Sequence, residues 1–174
     1  KKVIAQLNID MIGRSKKAGN TEPRDKDLSG ENTIYVIGKD MMSSTLGAIV
    51  DGANKGYLNM TYDTRYDDPK DTNRFFFRSD HFPFAKVGVP AISLRHGDDF
   101  VTPLTGEALG FFREYTAKYY HQASDEYKPW WNTDAMIQNA EIGMAIGFKL
   151  GNLPLLPRYK DSDEFSAADK QRMK

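Results

Sequence analysis

Two short stretches of this chain carry side chains of the kind that bind metals. Tyr119-Tyr120-His121-Gln122-Ala123-Ser124-Asp125 holds an imidazole followed by a carboxylate. Asn8-Ile9-Asp10-Met11-Ile12-Gly13 places a carboxylate at the end of an apolar run. Imidazole nitrogen and carboxylate oxygen are zinc donors, and two groups so far apart in sequence can serve one site only if folding joins them. There is no cysteine, which excludes disulfides and thiolate sites and leaves three histidines and the carboxylates to hold any transition metal. By residue type alone the bland readings stay open. Asp10 also suits the capping of the turn that follows it, and His121 also suits a hydrogen-bonded surface position. Asp125 is a candidate partner for the second ring nitrogen of His121, since a metal-bound histidine usually passes its other N–H to a carboxylate or carbonyl.

Ser79-Asp80-His81 contains the residue types of a hydrolytic triad, but three adjacent residues cannot adopt that arrangement, whose members come from separate segments. The chain also lacks a Gly-x-Ser-x-Gly elbow, which argues against a serine hydrolase. Ser79 and Asp80 instead suit either an N-cap or the lining of a site. His96 follows an apolar strand and reads as a loop histidine. Phe75-Phe76-Phe77, Trp130 and Trp131 read as core or lid packing.

The composition allows a globular domain. Of 174 residues, 40% are hydrophobic and 28% charged, enough apolar surface for a real core. Lys plus Arg and Asp plus Glu number 24 each, for a net charge of +0, so nothing favours nucleic acid or an anionic membrane as partner. No apolar run approaches the roughly 20 residues of a spanning helix. No leader is visible ahead of Val3, and the sequence is silent about its compartment.

The elements that would position these groups alternate. Val3–Ile9, Thr33–Ile37 and Ala91–Leu94 read as strands, and Asn59–Tyr62 as a short one. Met41–Lys55 reads as a helix burying Leu46, Ile49, Val50 and Ala53. Asp80–Val87 reads as a short helix capped by Ser79 or Asp80. Thr133–Leu150 is the clearest helix, with Ile137, Ala140, Met144 and Phe148 as its expected buried stripe. Ser15–Asn32 reads as a surface loop, and Gly97–Lys118 as a long excursion with a helical piece. Residues 158–174 form a charged tail expected to be loosely held. This alternation argues an α/β layered domain with a largely parallel sheet. The strands are few for so many helices, so residues 1–157 read as the C-terminal part of a larger domain.

Together these segments resemble the dizinc aminopeptidase family, which includes glutamate carboxypeptidase-like, glutaminyl cyclase-like and transferrin receptor-like members. Asn8 to Arg14 resembles its aspartate-bearing strand end. Arg78-Ser79-Asp80-His81-Phe82-Pro83-Phe84, followed by Gly88-Val89-Pro90-Ala91-Ile92, resembles its helix-to-strand segment beside the substrate cleft. Tyr120 to Tyr127 resembles its late histidine motif. The resemblance implies a three-layer α/β/α zinc-exopeptidase-like (phosphorylase/hydrolase-like) fold with a mostly parallel sheet, incomplete at the N-terminal side. It also implies two zinc ions per complete site, with Asp10 a ligand to one and His121 to the other. Tyr120 would stabilise the tetrahedral intermediate, and Arg78, Ser79 and Asp80 would contact a peptide substrate. The family's first histidine, bridging aspartate and glutamate pair would lie ahead of Val3, so zinc binding by this chain alone is expected to be weak or absent. The resemblance further implies a secreted or periplasmic aminopeptidase. Carboxypeptidase or glutaminyl cyclase chemistry, or a non-catalytic binding domain, are the competing readings. An unpaired edge on the first strand makes self-association an expected partner mode.

Overall fold

The strand Thr33–Ile37 (β4) is buried on both faces, with Ile34, Tyr35, Val36 and Ile37 all essentially inaccessible. A run of β-branched and aromatic residues suits a strand covered from both sides. The computed structural model in which this is seen describes residues 3–12, 15–16, 19, 21, 29–95, 106–128 and 133–174. Gly13, Arg14, His96, Trp130 and Trp131, singled out from the sequence, lie outside the described residues.

β4 belongs to a four-stranded sheet with Gln6–Ile9 (β1), Thr61–Asp63 (β5) and Ala91–Arg95 (β6), in the order β1-β6-β4-β5. β1 runs parallel to β6 and β4 parallel to β5, while β4 and β6 are antiparallel. The sheet is thus open, mixed and mostly parallel, as expected. A second, two-stranded parallel pair, Ser15–Lys16 (β2) with Ser29–Glu31 (β3), falls in the stretch read as a loop. In each main strand the regular part is close to the expected one, though β1 begins at Gln6 and not Val3.

Helices cover both faces. On one side Ser44–Lys55 (α1) and Thr133–Gly151 (α4) pack on each other and on the sheet, around Ile34, Val36, Leu46, Val50, Ile92, Leu94, Ile142 and Ile146. α1 starts three residues later than Met41 because Ser43 caps it: its Oγ accepts from the Leu46 amide at 3.1 Å. The same hydroxyl donates to the Arg158 carbonyl at 2.7 Å, tying the C-terminal segment to this helix.

The expected stripe of α4 is on the wrong side. Ile137, Met144 and Phe148 are 56%, 65% and 73% exposed, whereas Ile142, Ile146 and Leu150 are buried. Both sets repeat at helical spacing, so periodicity alone does not choose between them. The glycines do. At Gly143 a Cβ would come within 2.5 Å of Ile9 Cδ1, and at Gly147 within 3.7 Å of Leu7 Cδ1. That side lets the helix axis approach β1 closely, which carries Ile142 and Ile146 into the core.

The opposite face is covered by the 3-10 turn Phe75–Phe77, by His81–Lys86 (α2) and by Ser166–Arg172 (α5). Phe76, Ala85, Ile37, Met42, Tyr159 and Phe165 form its core. The segment from Arg158 is therefore packed, contrary to the expectation of a loose tail. Asp169, almost fully buried, accepts from Arg158 Nε at 2.7 Å, the Tyr159 amide at 3.1 Å and Arg172 Nη2 at 2.9 Å. Tyr159 donates its hydroxyl to the Val89 carbonyl at 2.9 Å. Gly88, at φ +82°, lies where a Cβ would come within 2.4 Å of the α5 backbone, so no other residue allows this docking. High charge content concealed a few well-placed apolar anchors.

The third helix, Gly106–Glu114 (α3), runs directly into a π-helical turn, Tyr115–Tyr119. Among the described residues no helix is long and apolar enough to cross a membrane.

Candidate metal and substrate site

β1 and β6 point the same way, so their carboxyl ends lie side by side. The register pairs Asn8 with Ser93 and Ile9 with Leu94, and the Asp10 amide donates to the Leu94 carbonyl at 3.1 Å. Side chains alternate between faces along a strand. Ile9 and Leu94 turn toward α4, which places Asn8, Asp10, Ser93 and Arg95 on the face covered by α2 and the 3-10 turn.

At that corner Ser79, just ahead of α2, bridges the two positions of β1. Asn8 Nδ2 donates to Ser79 Oγ at 3.0 Å, and Ser79 Oγ donates to Asp10 Oδ2 at 3.1 Å. The serine hydroxyl has one proton, so giving it to the carboxylate obliges it to accept from the amide and fixes the Asn8 side chain. Asn8 is buried and Asp10 exposed, so the relay anchors an accessible carboxylate to the sheet interior. The Ser79 side chain thus bonds across to β1 and does not cap α2. Asp80 occupies the N-cap position of α2 without a side-chain capping bond and is exposed.

His81 is completely buried, with its ring edge-on to Phe76 at 4.7 Å. Neither ring nitrogen has a hydrogen-bond partner among the described residues. Burial drives its pKa down from 6.5 to about 4, against weaker upward pulls from the Phe76 backbone, Asp80 and Asp10. It is a neutral packing residue at ordinary pH.

Arg78 and Arg95 stand beside this corner. The Arg95 guanidinium lies 4.7 Å from the Phe75 ring centroid and that of Arg78 lies 5.4 Å from the same ring. Arg95 Nη2 also reaches Met11 Sδ at 3.7 Å, immediately after Asp10.

Tyr120 and His121 sit elsewhere, just past the π-helical turn. Their rings stack at 3.9 Å, both side chains are exposed, and His121 has φ +59°. Asp125 accepts from the Tyr115 hydroxyl at 3.1 Å, so it is engaged within its own segment and not with His121. No hydrogen bond or ion pair joins this segment to Asp10, and among the described residues no three His, Asp or Glu side chains converge as a metal site would require.

The sequence matches the model of peptidase family M28 over residues 1–145. The chain belongs to peptidase family M28. Comparisons with curated proteins and with solved structures gave no match. M28 enzymes are zinc-dependent hydrolases of peptides, and the donor chemistry here suits that metal. Asp10 offers the carboxylate oxygen Ser79 leaves free, and His121 an exposed imidazole.

Two residues at this corner were not singled out from the sequence. Asn8 was visible as the residue two before Asp10 on one strand, hence on the same face. Arg95 had no signal, because its neighbour on the sheet depends on the β1–β6 register.

Proposed function

We propose that this chain carries part of a dizinc exopeptidase site, that of an aminopeptidase releasing N-terminal residues from peptides. The observation that carries this reading is the Asn8–Ser79–Asp10 relay, which presents one carboxylate at a strand end in a chain of the M28 family. Asp10 is a ligand to one zinc and His121 to the other. The chemistry supplied by such a pair is Lewis-acid polarisation of the peptide carbonyl and activation of water at neutral pH. Ser79 holds Asp10 in orientation, as outer partners of metal ligands do. Tyr120 directs its hydroxyl at the oxygen on which negative charge develops. Arg78 and Asp80, exposed beside Ser79, face the peptide.

Asp10 and His121 supply one ligand to each metal, and a catalytic zinc takes about three protein ligands. The 174-residue chain alone is therefore expected to bind zinc weakly and to be inactive. We further propose a secreted or periplasmic setting, and self-association through the edge of β1, which pairs with β6 alone among the described residues.

Calorimetric titration of the chain should show no tight zinc; two tight equivalents would overturn the shared-ligand reading. When the remaining family ligands are supplied on a preceding segment, His121→Ala should remove one zinc equivalent and most turnover. Tyr120→Phe should lower kcat by about 10–1000-fold with metal retained. Near-full rates in His121→Ala would overturn the assignment.

A further inference from the structure

We propose that Arg78 and Arg95 form a subsite for a substrate carboxylate beside Asp10, so that the peptides taken carry an acidic side chain or a free terminal carboxylate near the bond cut. This rests on the peptidase reading above and adds the substrate class to it.

Two cations share one ring. Both guanidiniums lie within 5.4 Å of the Phe75 centroid, and neither forms an ion pair among the described residues. Two like charges gathered at one ring repel, and an anion beside them relieves that repulsion. The aromatic row itself supplies a comparison. Phe75 packs edge-on to Tyr66 at 4.5 Å, and Tyr66 to Tyr35 at 5.2 Å. Over Tyr35 sits a third arginine, Arg65, and it is neutralised by Asp63 at 2.6 Å. The row thus pairs Arg65 with a carboxylate of this chain and leaves Arg78 and Arg95 without an ion pair among the described residues.

Both guanidinium carbons lie over the Phe75 ring. A guanidinium presents five donors in its plane. Arg95 uses one of these on Met11 Sδ, a weak acceptor, and Arg78 makes no side-chain hydrogen bond among the described residues. Stacking restrains the arginines in advance, which lowers the ordering cost of binding. The planar forks suit a carboxylate bidentately, and carboxylates are the anions native to peptides. Alternation along β1 and β6 sets Arg95 and Asp10 on one sheet face, at adjoining strand ends. A carboxylate held by the pair would therefore lie next to the reacting centre.

The test is a set of binding titrations on the 174-residue chain at low salt. The probes are acetyl-Gly-Glu-amide, acetyl-Gly-Gln-amide, acetyl-Gly-Gln with a free carboxylate, and inorganic phosphate. One or both carboxylate peptides should bind at least about tenfold more tightly than the neutral amide, and the arm that does so names the source. Arg78→Gln and Arg95→Gln should each remove that preference, while Arg113→Gln on α3 should not. Far-UV circular dichroism monitors folding. Arg95→Lys, which keeps charge and loses the fork, should weaken carboxylate binding if Arg95→Gln does not fold. Equal binding of acid and amide, a preference that survives the arginine variants, or phosphate binding as tight as carboxylate would each overturn the proposal. Hydrolysis assayed separately in zinc-loaded protein that includes the remaining family ligands on a preceding segment keeps the two readings apart. Cleavage without charge preference sinks the subsite alone, and charge-selective binding without cleavage of any peptide sinks the peptidase reading alone.

Discussion

Asp10 and His121 are held in contrasting ways. Asp10 follows a strand whose register is set by β6, its amide is bonded to Leu94, and its carboxylate is tied through Ser79 to a buried asparagine. His121 follows a single π-helical turn, in a left-handed backbone conformation, with its ring against the adjacent tyrosine and exposed. The first group is placed by long-range structure and the second by its neighbours in sequence. Preorganisation is therefore complete for the carboxylate and absent for the imidazole. A metal pair that used both residues, one on each ion, would have to gather the histidine at its own ordering cost.

The largest test of this contrast is in stability. Phe76 lies under the Ser79 corner, fully buried against His81 and Phe165. Phe76→Ala should cost about 3–5 kcal/mol in urea unfolding, through lost burial and the cavity left behind. His121→Ala, without metal, should stay within about 0.5 kcal/mol of wild type. Comparable losses would mean that the histidine segment is packed into the fold and the contrast is false.

What could be read beforehand follows the same division. β4 and β6 were legible because their apolar runs, Ile34-Tyr35-Val36-Ile37 and Ala91-Ile92 with Leu94, suit strands of a covered sheet. The buried stripe of α1 was legible because Leu46, Val50 and Ala53 face no competing set. α4 was misread because apolar residues occur around it and the phase is set by glycine contacts with Ile9 and Leu7, which are tertiary facts. The segment from Arg158 was misread because its charges pair with one another across Asp169 rather than with water. At the site, Asp10, Ser79 and Arg78 were visible in contiguous motifs. Arg95 was not, since only the register of β1 on β6 makes it a neighbour of Asp10.

An intermediate effect comes from pH. The buried His81 is neutral when folded, with its pKa drawn down to about 4 by burial, whereas in the unfolded chain it protonates near the ordinary 6.5. The unfolded state therefore binds the extra proton as pH falls. This contribution to stability is fully present above about pH 6.5 and is lost progressively toward pH 4, by roughly 3 kcal/mol. The difference between wild type and His81→Phe, measured by urea unfolding at steps across that window, isolates it. The two slopes should diverge below pH 6.5, and parallel slopes would show that His81 is solvated or paired. A solvated His81 would loosen the strand-end corner and narrow its difference from the histidine segment.

The smallest effect concerns α4, which supports β1 from the other side. Phe148 points away from the sheet, beside a shallow cleft lined by Ala48, Ile49, Lys149, Asn152 and Leu153. Phe148→Glu should change stability by no more than about 0.5 kcal/mol, since it removes an exposed side chain and leaves no cavity. Were Phe148 instead in the buried stripe, as expected from the sequence, a buried unpaired carboxylate would cost several kcal/mol. A large loss would rotate α4 by about half a turn and take Gly143 off Ile9. The close support of β1, and with it the fixed position of Asp10, would then lose its physical basis.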